Sequence, residues 1–221
     1  MIRRKNDRAG SREEVNASFL LALAVIFTSI SVASVSEAQD GGSGNLERFC
    51  KSGNLAACNN LGVSYSNARE YSRAAGFYKK ACDGGEPNGC VNLGDIFDAG
   101  LGTRQDKGKA ADLYKKACEL GFDHGCYSLG YAHQVGDGVK KDRSRMLDLY
   151  ERSCKTGHGA ACLKLGAFHL DGKTLPFDTM KAGEYYKKAA ESSRWRDRRT
   201  SQAYASFCAQ YRNANTGPAC K

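Results

Sequence analysis

Cysteine is the residue in this 221-residue chain most able to do chemistry, and there are ten of them. Eight stand in pairs eight positions apart: Cys50 and Cys58, Cys82 and Cys90, Cys118 and Cys126, Cys154 and Cys162. Cys208 and Cys220 remain. Thiols at fixed spacing either hold a soft metal as thiolates or oxidise to disulfides. Zinc sites use C-x2-C knuckles with a second pair close by. Here successive pairs start 32 to 36 residues apart, so the spacing points away from metal. An even count at regular spacing fits structural disulfides in an oxidising compartment.

Other reactive side chains form no catalytic pattern. The sequence has no S-x-x-K, G-x-S-x-G or H-E-x-x-H motif and no phosphate-binding glycine loop. No catalytic, cofactor-binding or metal-ligating residue is therefore assigned, and no cofactor is expected. Asp106, Asp142 and Asp178 look like acid/base candidates until their equal spacing is noticed; they precede helices, where a carboxylate caps free amides. His133 and His169 stand where other units carry Tyr65 and Phe97, which makes them packing residues. His124 and His158 fall in turns and are expected to be solvated.

The elements that position these residues repeat. Leu-Gly occurs at Leu61-Gly62, Leu93-Gly94, Leu129-Gly130 and Leu165-Gly166, and Tyr78, Tyr114, Tyr150 and Tyr186 keep a 36-residue period. The first unit is four residues short, which places the deletion in a loop. Counting from Cys90, positions +3, +4 and +7 (Leu93, Gly94, Phe97) share one helical face. Ala110, Leu113, Tyr114 and Ala117 form the matching face of a second helix, with Gly121 as its stop. A glycine inside each first helix costs about 1 kcal/mol against alanine. Its recurrence implies close approach of the partner helix. The fold class is all-α: antiparallel helix pairs stacked into an α-solenoid.

The stretch "AADLYKKACELGFDHGCYSLGYAHQVGDGVKKD" resembles the Sel-1-like repeat family, which is related to the tetratricopeptide repeats. The resemblance covers about residues 45–192, and the paired cysteines make it similar to the cysteine-rich, secreted bacterial members. Met146 departs from the pattern, standing where other units have alanine. The resemblance implies a scaffold for proteins or peptides. It also implies a runner-up activity, because secreted cysteine-rich members have been described as penicillin-binding proteins that hydrolyse β-lactams. No residue pattern here supports such hydrolysis independently.

In this frame one cysteine of each pair closes a second helix and the other opens the next first helix, so the two face each other across a turn. The expected disulfides are Cys50 with Cys58, Cys82 with Cys90, Cys118 with Cys126, and Cys154 with Cys162. Cys208 with Cys220 follows by elimination. The fourth unit carries Ala190 and Arg198 in the two cysteine slots, a joint loss that a bond between them predicts.

Residues 1–38 read as a signal peptide: a basic start, nineteen uncharged residues from Ala17 to Val35, and small residues Ser36 and Ala38 before the cut. An uncleaved anchor is the alternative, since nineteen such residues just cross a bilayer. Residues 39–44 form a linker, 45–192 four repeats preceded by a half repeat, and 193–221 a C-terminal capping helix and tail. The product is expected to be exported, to the periplasm or beyond, with no stable membrane span after cleavage.

Cleavage removes five basic and four acidic residues and leaves 28 against 20, a charge of +8. Such a charge favours acidic partners; no nucleic-acid motif is present, and a monomer is expected. Arg194, Arg196, Arg198 and Arg199 surround the single Trp195 as a second basic candidate surface. On the first helices, +2, +5 and +6 should point away from the core and line the concave wall. These positions include Asn60, Val63, Asn92, Asp95, Ser128, Tyr131, Lys164 and Ala167. The row reads either as a binding groove or as ordinary solvated helix surface.

Overall fold

A computed structural model describes residues 44–192, 198–211 and 220. The expected signal peptide, the linker before Gly44, and residues 193–197 with Arg194, Trp195 and Arg196 lie outside the described residues. The chain divides between Asn45 and Leu46, and the contacts below belong to the unit from Leu46 onward.

Ten helical segments and no strand occur among the described residues. Helix α1 (44–51) is followed by four hairpins: α2 (Leu55–Asn67) with α3 (Tyr71–Asp83), α4 (Pro87–Ala99) with α5 (Lys107–Glu119), α6 (Asp123–Val135) with α7 (Arg143–Lys155), and α8 (Gly159–Asp171) with α9 (Thr179–Glu191). Helix α10 (Arg198–Tyr211) closes the series. From α2 to α10 each helix packs on the next, as in a solenoid.

Sequence signals set the helix ends. Asp106, Asp142 and Asp178 accept the amide protons of Lys109, Arg145 and Lys181 at 3.0, 3.0 and 2.9 Å, the N-cap bond that an exposed amide needs. Gly100, Gly136 and Gly172 end the first helices of hairpins two to four in the left-handed conformation. The short first unit has only residues 68–70 between α2 and α3, and there Arg69 takes a positive φ of 62°.

The glycine inside each first helix has a specific cause. A Cβ on Gly62 or Gly94 would lie 2.6 Å from the ring of Tyr78 or Tyr114, and on Gly130 or Gly166 3.0 Å from Tyr150 or Tyr186. The two repeat markers in the sequence are thus one contact: a tyrosine ring lying on a glycine. Leu61, Leu93, Leu129 and Leu165 fill the core beside it.

At each joint the second helix ends and the next begins within a few residues, leaving the two Cα atoms of a cysteine pair 4.6, 4.5, 4.5 and 4.8 Å apart in chain order, with the sulfurs bonded. All eight cysteines are buried. A second tie runs beside them: Lys80 Nζ donates to the Cys50 carbonyl at 2.8 Å, Ser153 Oγ to the Asp123 carbonyl at 2.8 Å, and Ser192 Oγ to the Gly157 carbonyl. Cys208 and Cys220 are bonded with their Cα atoms 5.5 Å apart.

Candidate binding surface

First helices α2 and α4 touch, as do α4 and α6, and α8 meets the capping helix α10. The outward faces of these first helices form the candidate wall. Asn60, Val63, Asp95, Tyr131 and Ala167 are exposed on this wall, while Asn92, Ser128 and Lys164 are half-buried. The expectation for +6 is corrected. Ile96, Ala132 and Phe168 occupy that position and are buried; only Ser64 is exposed there. Each first helix is gripped by its own second helix and by the preceding one, which covers a wider arc than a single neighbour would.

Two wall residues also brace the structure. Asn92 donates to the Asn59 side chain at 2.8 Å, linking α4 to α2. Asp95 accepts the Tyr114 hydroxyl at 2.8 Å. Although Asp95 as a residue is exposed, neighbouring protein atoms partly desolvate its carboxyl and raise it above its ordinary range, and the bond from Tyr114 opposes part of that rise. Burial of Tyr114 itself and the facing carboxylate push its phenol up. Asp95 is therefore held by its own hairpin rather than offered outright to a ligand.

Two depressions on the wall lie among the described residues. One of about 100 Å³ lies between the second and third hairpins, floored by Tyr114 and Tyr127 beside Ser128 and Tyr131, with Lys107 and Asp137 ion-paired at 2.6 Å on its rim. Another of about 430 Å³ lies between α8 and α10, where Lys164 and Ala167 meet Arg199 and Ala203. Sequence reasoning missed the contribution of α10, which carries no repeat marker. A larger groove of about 950 Å³ runs on the other side, between α5 and α7, with Lys115 and Arg152 facing Asp112 and Asp148.

The histidines are structural. His133 and His169 are buried, their Nδ1 atoms 3.0 and 3.1 Å from the carbonyls of Lys140 and Pro176 in the following turns. The expectation that His124 and His158 are solvated is overturned. His158 is 1 % exposed, caps α8 by accepting the Ala161 amide at 3.3 Å, and stacks on Tyr127 with ring centres 4.6 Å apart. His124 is half-buried, its ring 5.5 Å from that of His158. The inter-repeat turn is packed beneath α6, which the sequence position of a turn residue does not reveal. Among the described residues no group of three or more His, Cys, Asp or Glu is placed to hold a metal ion.

The glycine–tyrosine contact and the closed joint recur four times and the aspartate-capped second helix three times, and the Sel1 repeat pattern matches residues 55–86, 87–122, 123–158 and 159–193. The chain belongs to the Sel1 repeat family. Each matched Sel1 unit begins with a first helix, and the first three end in the turn beyond the second. Among solved structures, a Sel1 repeat protein of Oxalobacter formigenes superposes with a TM-score of 0.67 at 24 % identity, over 79 % of this chain and 69 % of that one. The c5321 protein of uropathogenic Escherichia coli, a protective antigen with the same repeat fold, gives 0.63 at 23 % identity, over 76 % of this chain and 41 % of that one. A stretch of 46 residues is 44 % identical to HcpE of Helicobacter pylori strain J99, a protein named as a candidate beta-lactamase. That stretch is 21 % of this chain and spans only 13 % of HcpE. Among the described residues no helix is long and apolar enough to cross a membrane.

Proposed function

We propose that this Sel1 repeat chain is an exported scaffold that binds a protein or peptide along the wall of its first helices, as a monomer and without a cofactor. One observation carries the reading. Positions that pack are nearly the same in every hairpin, whereas the outward +2 and +5 positions differ each time: Asn60 and Val63, Asn92 and Asp95, Ser128 and Tyr131, Lys164 and Ala167. A surface with only to stay soluble would favour charges. This one leaves Val63 and Tyr131 exposed, and an aromatic ring set among polar groups is a common binding anchor. Export is supported by residues 1–38 and by the buried cysteine pairs, which suit an oxidising compartment.

Affinity capture from extracts of the source organism tests the wall. Val63→Glu and Tyr131→Glu should each abolish capture, while Lys115→Glu on the second-helix side should leave it intact. Capture that survives both wall changes removes the proposal.

The 46-residue match to HcpE favours β-lactam hydrolysis as a second reading. Purified oxidised protein should show no hydrolysis of a chromogenic cephalosporin that scales with protein concentration; turnover that does scale would move the reading to an enzyme.

A further inference from the structure

The hollow between α8 and α10 differs in charge from three other depressions among the described residues. Carboxylates line each of the others: Asp112 and Asp148 in the groove of about 950 Å³, Glu151 and Glu191 in one of about 570 Å³, Asp98 and Asp137 in that of about 100 Å³. The hollow of about 430 Å³ has none among the described residues. Its charged groups are Lys164 and Arg199, set around Leu163, Ala167, Tyr186 and Ala203. Helix α10, Arg198–Tyr211, has no acidic residue, and neither cation is ion-paired to a carboxylate among the described residues.

Two cations bordering one apolar hollow repel, and the fold holds them there. Phe207 of α10 is buried and stacks on Tyr186, ring centres 5.2 Å apart, and on Tyr211 at 5.1 Å, which fixes α10 against α9. A carboxylate between Lys164 and Arg199 would relieve that repulsion and accept charge-assisted hydrogen bonds from both. An apolar group attached to it would fill the floor and displace water from Leu163 and Ala167. A volume of this size suits a small ligand or a pair of side chains.

We infer that this hollow binds a peptide carboxylate carried next to an apolar side chain. The inference rests on the reading of the first-helix wall as the binding surface, and it names the chemistry that one part of that wall selects. The carboxylate can be a chain terminus or an Asp or Glu side chain.

Amide-resolved NMR titration of the exported, oxidised protein tests it with three probes: N-acetyl-Leu-Phe as the free acid, the same dipeptide as its C-terminal amide, and N-acetyl-Asp-Phe-amide. The free acid should shift the Ala167 and Ala203 amides saturably, and the neutral amide should not. The Asp probe decides the source: shifts matching the free acid admit internal acidic residues, and their absence restricts the hollow to chain termini. Lys164→Gln with Arg199→Gln should weaken the free acid by about tenfold or more, with the rest of the spectrum unchanged. Equal shifts from acid and neutral amide, insensitivity to the double substitution, or no saturable shift at Ala167 and Ala203 overturns the inference. Shifts confined to Val63 and Tyr131 would overturn the hollow while keeping the wall; shifts confined to the second-helix side would count against both.

Discussion

Each tyrosine ring in the core occupies the space where a methyl group would sit on the facing glycine. In Gly94→Ala the added Cβ meets the Tyr114 ring at 2.6 Å, and that ring is buried. Overpacking of this kind costs about 1–3 kcal/mol, against about 1 kcal/mol recovered from helix propensity. The variant should melt below wild type. Gly166→Ala should be milder, because its Cβ meets Tyr186 at 3.0 Å and that ring is only half-buried. Equal melting temperatures for wild type and Gly94→Ala would contradict the contact. The capping aspartates act electrostatically. The Arg145 amide holds the Asp142 carboxyl below its ordinary range. A depressed carboxyl pKa adds stability above the unfolded-state value, near 4, and loses it as pH falls through the folded value. Asp142→Ala should therefore melt lower than wild type at neutral pH, with the gap closing on acidification below pH ~4; a gap independent of pH would argue against the charge. The capping roles of Asp106, Asp142 and Asp178 were legible because type and spacing both signal a helix start. The burial of His158 was not, since it depends on Tyr127 from the preceding hairpin.

Between hairpins, the working element is the joint. A nine-residue loop closed by a disulfide contributes roughly 2.5 kcal/mol in the chain-entropy model. Repeats that touch only their neighbours cannot spread the loss of one joint over the whole fold. Replacing Cys118 and Cys126 together by alanine should lower stability by about that amount or more, and denaturant melting should lose its single transition. Unchanged cooperative unfolding would mean the joint holds through packing alone, for which the tight approach of Gly125 to Ala117 is the candidate. Helix pairs and joints were readable because four markers share one period. The width of the covered arc on a first helix was not: +6 is outward on a helix with one neighbour, but here a second neighbour buries Ile96, Ala132 and Phe168. In the first unit the missing four residues are taken from the hairpin loop, which leaves Arg69 with a left-handed backbone that glycine would adopt more readily.

Across the molecule, stacked joints of one geometry turn all the first helices to the same side. The sequence period predicts that arrangement, but α10 keeps neither the Leu-Gly pair nor the spaced tyrosine, so the hollow it forms with α8 emerges only in three dimensions. The consequence is a wall with polar and aromatic groups toward the N-terminal end and a cationic, apolar hollow toward the C-terminal end. Site-specific photo-crosslinking tests the central claim that this wall meets the partner. A benzoylphenylalanine at position 131, on the wall, or at position 145, on the second-helix side, is incorporated into the oxidised protein and irradiated with extract of the source organism. The account predicts a discrete adduct from position 131 and none from position 145. An adduct from position 145 with none from position 131 would contradict it.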